Sequence, residues 1–285
     1  MLVPRRETRR VRVWRVRADE EVWEEDWVAA EEPLEIRVTY FPEPGRPPET
    51  RSVSVTMRTP GDDFELAAGF LFTEGLVAKR GEIRKVTYCS GDEPQEYNLV
   101  EVRLTPRAAF DPSRLQRNFY MTSSCGVCGK ASLDAIEVQG CTGFEPGGIH
   151  VAGALLTDVP DRLRESQPVF SRTGGIHAAA LFRPDGTLEE IREDVGRHNA
   201  VDKLVGHAFL QGGTPLSERF MAVSGRASFE LLQKALVARI PMVVAVGAPS
   251  SLAVDLARRF GMTLVGFVGE DGYNVYAGEE RVGPA

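Results

Sequence analysis

Apolar and polar residues alternate with a period of two through residues 10–17, 34–40 and 52–58, where Val, Ile and Thr recur, and this predicts β-strands. A Pro/Gly turn at 41–48 (FPEPGRPP) separates the second strand from the third. Asp62 or Asp63 can then cap a helix through Phe64, Ala67, Ala68, Leu71 and Phe72, running to about residue 78. Residues 83–89 and 97–104 predict a strand pair about a turn at 90–94. Residues 106–124 carry a looser pattern, and a Gly-rich break at 140–148 follows. Beyond it, helix and strand alternate. Helices are expected at 151–165, 199–210, 228–239 and 253–260, the last capped by Ser250 or Ser251. Strands are expected at 176–182, 188–192, 219–223, 242–246, 263–267 and 274–276. This alternation predicts an α/β fold with a three-layer arrangement.

Composition narrows the classes. The 285 residues are long enough for a full core without disulfide or metal staples. The 34 Lys+Arg against 41 Asp+Glu leave a net charge of -7, which argues against broad nucleic-acid binding. The charge is uneven: residues 5–17 carry seven Arg and one Glu, whereas 19–35 are mostly acidic. Two solvated edge-strand faces explain this pattern, and a docking patch for an acidic partner is the alternative. The longest apolar run, near 242–246, is far too short to span a bilayer. No apolar stretch of the signal-peptide kind follows the Arg-rich start, so a cytoplasmic, membrane-free protein is expected.

In a reducing compartment, cysteines serve catalysis, metal binding or packing more often than pairing. The sharpest local feature is SSCGVCGK, in which Cys125 and Cys128 form a C-x-x-C flanked by Gly126 and Gly129. Small neighbours let backbone N–H groups approach a sulfur. A helix start near Ser123 or Ser124, with Lys130 close by, would favour the thiolate. Zinc binding, dithiol exchange and sulfur transfer through a persulfide all use such a pair, and two small residues in a glycine loop is the plain alternative. Zinc needs further ligands. No second C-x-x-C exists, and the H-x-E of the zinc deaminases is absent. Cys89 and Cys141 read as small core residues. No metal held directly by the protein is expected.

Three further clusters offer ligand chemistry. In SRTGGIHAAA, Gly174 and Gly175 permit close backbone approach, and His177 follows. A tight turn feeding a strand is the simpler account. REDVGRHNAVDKL packs Asp194, Arg197, His198, Asp202 and Lys203 around Gly196 at a strand-to-helix junction, where α/β ligand sites lie. An Asn199 cap and a solvated helix face would explain the same residues. VSGRASFE places backbone N–H groups and Arg226 where a phosphate could sit, and GAPS at 247–250 repeats the arrangement after the next strand.

Taken in order, CGVCG, TGGIHAAA, REDVGRHNAVDK, VSGRASFE and VGAPSSLAVDLA resemble the formate dehydrogenase accessory sulfurtransferase family, FdhD, from about Pro33 onward. The resemblance implies a cytidine-deaminase-like α/β core over residues 121–285 and a smaller α+β domain over 1–120. It implies a sulfurtransferase that accepts sulfur as a persulfide from a cysteine desulfurase. The acceptor it implies is the molybdenum cofactor, molybdenum bis(molybdopterin guanine dinucleotide), before insertion into formate dehydrogenase. On this resemblance Cys125 is the persulfide carrier and Cys128 its partner. The family's cofactor-binding stretch falls on Phe267, Val268, Gly269, Glu270, Asp271 and Gly272, where two acidic residues replace expected basic ones and leave backbone contacts. His177, Arg197, His198, Lys203 and Arg226 would position the anionic pterin nucleotide by charge-assisted hydrogen bonds. A non-catalytic chaperone for the cofactor or apo-enzyme is the alternative. A homodimer is the default oligomer.

Overall fold

The structure is a computed structural model that describes residues 6–18, 20–43, 45–89, 97–112, 141–145 and 147–284. The C-x-x-C of Cys125 and Cys128 and the domain boundary at 120/121 lie outside the described residues.

The fold is mixed α/β. Strands β1 (Thr8–Arg17) and β2 (Glu20–Ala29) form an antiparallel ribbon. The basic run lies on one strand and the acidic run on the other, as solvated strand faces. Strands β3 (Glu32–Tyr40), β4 (Glu49–Arg58), β5 (Ile83–Tyr88) and β6 (Leu99–Leu104) form a four-stranded sheet in the order β4-β3-β6-β5. Alternation decides its buried face: Leu34, Ile36 and Val38 are fully buried, as are Val100 and Val102.

The second sheet has six strands, β7 (His177–Phe182), β8 (Leu188–Asp194), β9 (Phe220–Val223), β10 (Met242–Ala245), β11 (Thr263–Gly269) and β12 (Gly272–Ala277), in the order β12-β11-β10-β9-β7-β8. β9, β10 and β11 are parallel, while β7 runs antiparallel to β9. Its inner strands β7, β9 and β10 are buried on both faces, so they read as continuous apolar runs, whereas the edge strands β8 and β12 are part-exposed. Ala180, Phe182, Phe220, Ala222, Met242 and Val244 face short helices α2 (Gly153–Thr157) and α3 (Val159–Glu165). Ala179, Leu181, Met221, Val223, Val243 and Ala245 face the longer helices α5 (Arg197–Leu210), α6 (Phe229–Val237) and α7 (Ser251–Arg259).

That second core continues without a break into the four-stranded sheet through α1 (Asp63–Thr73). α1 and α5 cross at Gly69 and Gly206. A Cβ on Gly69 would lie 1.8 Å from the Asp202 carbonyl oxygen, and one on Gly206 would lie 1.9 Å from that of Glu65. Only glycine permits this approach.

Several expectations need correction. α1 stops at Thr73, short of residue 78, because Gly75 turns left-handed at φ 69° and Leu76 N–H bonds back to the Leu71 carbonyl. The helix expected over 151–165 is two short helices. Val151 pairs with Val282, and α3 restarts with Pro160 in its first turn, where its missing N–H costs nothing. A further helix, α4 (Pro168–Thr173), was not foreseen. α5 begins at Arg197 behind Gly196, so Asn199 sits inside the helix and caps nothing. Ser250, not Ser251, caps α7 by accepting the Ala253 N–H.

Candidate functional site

Three helices start beside the carboxyl ends of the parallel strands. α6 follows β9 through Ser224–Ser228, α7 follows β10 through 246–250, and α5 enters behind β8. The two loops run side by side. Gly247 N–H donates to the Gly225 carbonyl, Ala227 N–H to that of Ala248, and Ser250 N–H to that of Ala227. A Cβ on Gly247 would stand 3.0 Å from the Arg226 nitrogen, so the packing demands glycine there. Phe267 joins them through its N–H to the Gly247 carbonyl. It is 53% exposed and adopts φ 54°, a strained conformation for an aromatic residue.

His177 faces this edge from β7. Its ring packs on Gly225, whose added Cβ would come within 3.2 Å of Nδ1. Ser224 ties the two strands: its Oγ accepts the Ala178 N–H at 2.8 Å. Burial, then the Arg197 charge, pushes the His177 imidazole below its ordinary value. His198 lies 3.4 Å from Ser228 Oγ and 3.9 Å from Glu230. Burial, with Lys234 and Arg197 adding, holds it down to about 4. Both rings are therefore neutral at pH 7 and present one donor and one acceptor each.

The side chains of Arg164, Arg197 and Arg226 make no ion pair or hydrogen bond among the described residues, and Arg197 Nε is buried without a partner. Arg197 and Arg226 stand at the starts of α5 and α6, where a helix N-terminus favours negative charge; at α6 the Glu230 carboxylate already takes part of that role. On the far side of His177, a cleft of ≈ 380 Å³ is lined by Leu163, Arg164, Gln167, Phe170, Gly174, Gly175, Ile176, His177, Ser224 and Val246 among others.

The structure brings Gly174, Gly175 and His177 together in this cleft and sets Arg226 and Phe267 on the two loops beside His177, with the Arg197 charge acting on both histidines; His198 itself lines a separate cleft with Asn199, Asp202, Glu230 and Lys234. It does not bring Lys203. That side chain is 1% exposed, and its Nζ meets Asp194 at 2.8 Å, the Thr59 carbonyl at 2.9 Å and the Glu193 carbonyl at 3.3 Å. Lys203 is a core residue. Val268 points its side chain into the core at 3% exposure. Gly269 and Gly272 pair across a hairpin whose tip carries exposed Glu270 and Asp271. Gln167 and Arg164 were not anticipated; they follow no motif, and only the folding of α3 against α4 brings them to the cleft. Among the described residues no group of three or more His, Cys, Asp or Glu side chains is placed to hold a metal ion. No helix among them is long and apolar enough to cross a membrane.

A sequence model of the FdhD/NarQ family matches residues 29–283. The chain belongs to that family. It is 52% identical over 281 residues to the sulfur carrier protein FdhD of Streptomyces coelicolor, covering 97% of this chain and 96% of the relative. Identity to the FdhD of Mycobacterium tuberculosis is 49% over 279 residues, covering 95% and 97% of the two chains. The archaeal FdhD of Sulfurisphaera tokodaii is 40% identical over 277 residues, covering 97% and 99%. The fold is shared with a crystal structure from Desulfotalea psychrophila, described as a formate dehydrogenase accessory protein. The TM-score is 0.74 at 24% identity, covering 97% of this chain and 100% of that one. The ribbon of this family member ends where the family's common sequence begins, at residue 29.

Proposed function

We propose that this chain is a cytoplasmic sulfurtransferase of formate dehydrogenase maturation, built on a cytidine-deaminase-like core. It takes sulfur from a cysteine desulfurase and delivers it to molybdenum bis(molybdopterin guanine dinucleotide), its bound substrate, before that cofactor enters formate dehydrogenase. In the loading step, the Cys125 thiolate attacks the outer sulfur of the desulfurase persulfide. A new S–S bond forms on Cys125, and the desulfurase cysteine leaves as thiolate. Cys128 shares the sulfur or resolves the persulfide. The observation that supports the cofactor half of this reading is that Arg197 and Arg226, beside helix starts at the strand ends, have no ion-pair or hydrogen-bond partner among the described residues. A nucleotide diphosphate is the matching ligand class, and His177 and His198 add neutral hydrogen-bonding partners. The near full-length identity to proteins named sulfur carriers supports the sulfur half.

The test is intact mass after incubation with a cysteine desulfurase and cysteine. The expected result is a reductant-sensitive gain of sulfur that disappears in Cys125→Ala. A Cys125→Ala variant that still supports formate dehydrogenase maturation would instead identify a chaperone that binds without transferring.

A further inference from the structure

We propose that Gln167 reads the heterocycle of the bound substrate, and that the cleft beside α3 and α4 accepts the planar, carbonyl-bearing edge of that ring. The inference rests on the cofactor reading above. Gln167 is 3% exposed, lines the cleft, and its Nε2 has no hydrogen-bond partner among the described residues. A buried amide without a partner is costly, so natural structures rarely keep one unless something arrives to satisfy it.

The surroundings hold this side chain in place. Gln167 precedes α4, its carbonyl accepts the Ser171 N–H at 2.9 Å, and its own N–H reaches the Arg164 carbonyl at 3.3 Å. The Glu193 carboxylate takes the next two free N–H groups, Val169 at 3.0 Å and Phe170 at 2.9 Å. The segment is thus tied to β8 before any ligand binds. Leu163, Phe170, Ile176 and Val246 give the cleft apolar walls, and exposed Arg164 offers an unpaired cation at its rim. The volume of ≈ 380 Å³ falls in the range of a small-molecule pocket.

The unpartnered atom of this amide is Nε2, a donor, so its complement is an acceptor. Guanine and pterin carry a ring carbonyl oxygen; at the same ring position adenine carries an amino group, which donates. The chemical class is therefore an oxo-heterocycle, with guanine and pterin as its two sources.

The test measures equilibrium binding of GDP, ADP, pterin-6-carboxylate and inorganic diphosphate to the full chain, the Gln167→Leu variant and the Gln167→Glu variant. Leu removes the amide; Glu keeps the shape and replaces the donor. Both variants should lose about 10–100-fold in affinity for the oxo-heterocycle. Both should bind inorganic diphosphate as the parent does. The parent should prefer GDP to ADP, and Gln167→Leu should abolish that preference. Melting of Gln167→Leu without ligand should not fall, since a buried donor without a partner among the described residues is removed. A loss confined to pterin-6-carboxylate would name the pterin as the ring in the cleft. Parental affinity for both heterocycles in both variants, with diphosphate binding intact, would overturn the role of Gln167 alone. An equal loss for every ligand with a lowered melting temperature would overturn it too, by making the residue structural. Failure of the parent to bind GDP, the pterin or diphosphate would overturn this inference together with the cofactor reading.

Discussion

Around the N-terminal half of α5, two sets of charged side chains behave in opposite ways. Beneath the helix, Asp194 accepts from Thr59 N–H, Gly196 N–H, Asn199 and Lys203, all at 2.8–3.1 Å. Asp202 takes Lys234 with both oxygens at 3.0 Å and Thr73 at 2.7 Å. Arg58, fully buried, holds Asp63 through two bonds of 2.8 and 2.9 Å. Above it, Arg197 and Arg226 have no partner at all among the described residues. The motif REDVGRHNAVDK supplies members of both sets. Its buried half joins the two sheets, since Asn199 donates to the Met57 carbonyl and Lys203 to that of Thr59. Its other half, Gly196, Arg197 and His198, is only part-buried. Charges that the fold has already satisfied support structure; those without a partner among the described residues are available to a ligand.

The largest expected effect breaks the buried set. Lys203→Met should cost about 3–5 kcal/mol, because Asp194 would remain buried without its counter-charge. Urea unfolding measures it. A loss below about 1 kcal/mol would show that the backbone N–H groups alone sustain Asp194.

The exposed set should respond in the other currency of measurement. Arg226→Met should leave stability within about 0.5 kcal/mol yet weaken inorganic diphosphate binding about tenfold, the scale of one charge-assisted hydrogen bond. Equal stability with unchanged binding would remove Arg226 from the anion site.

The smallest effect concerns pH. His198 is held down to about 4 when folded, against an ordinary value of 6.5. As pH falls, the unfolded chain takes the proton first. The contribution is present above pH 6.5 and is lost as pH falls toward 4. The side chain is 41% exposed, so solvent screens the effect and the loss is modest. His198→Gln should therefore show a shallower fall in melting temperature across that window. Parallel profiles would mean that burial does not hold the imidazole neutral.

Legibility in the sequence followed the same division. The strands of the six-stranded sheet were visible because burial on both faces makes short apolar runs such as Met242–Ala245. Helix ends were less so: the stop at Thr73 depends on Gly75, and the break between α2 and α3 depends on a pairing between Val151 and Val282, residues far apart in sequence. At the site, motifs marked Gly174, His177, Arg197 and Arg226, since local patterns of Gly and Arg between strand and helix are readable on their own. Lys203 looked equal to Arg197 in that string. Spacing along a helix does not say which face meets another element, so its burial against Asp194 could not be read.

The amino-acid sequence by itself determined the family and the α/β class and marked the neighbourhood of the proposed anion site, because these depend on local pattern and on motifs that stay contiguous. Only the tertiary structure decided which charges are spent and which are free. It did so by laying β4 and α1 against α5, closing Asp194 and Asp202 around their lysines, and by folding α3 against α4 to bring Gln167 to the cleft. Pairing and burial are properties of contacts between distant segments, and a linear pattern carries no record of them.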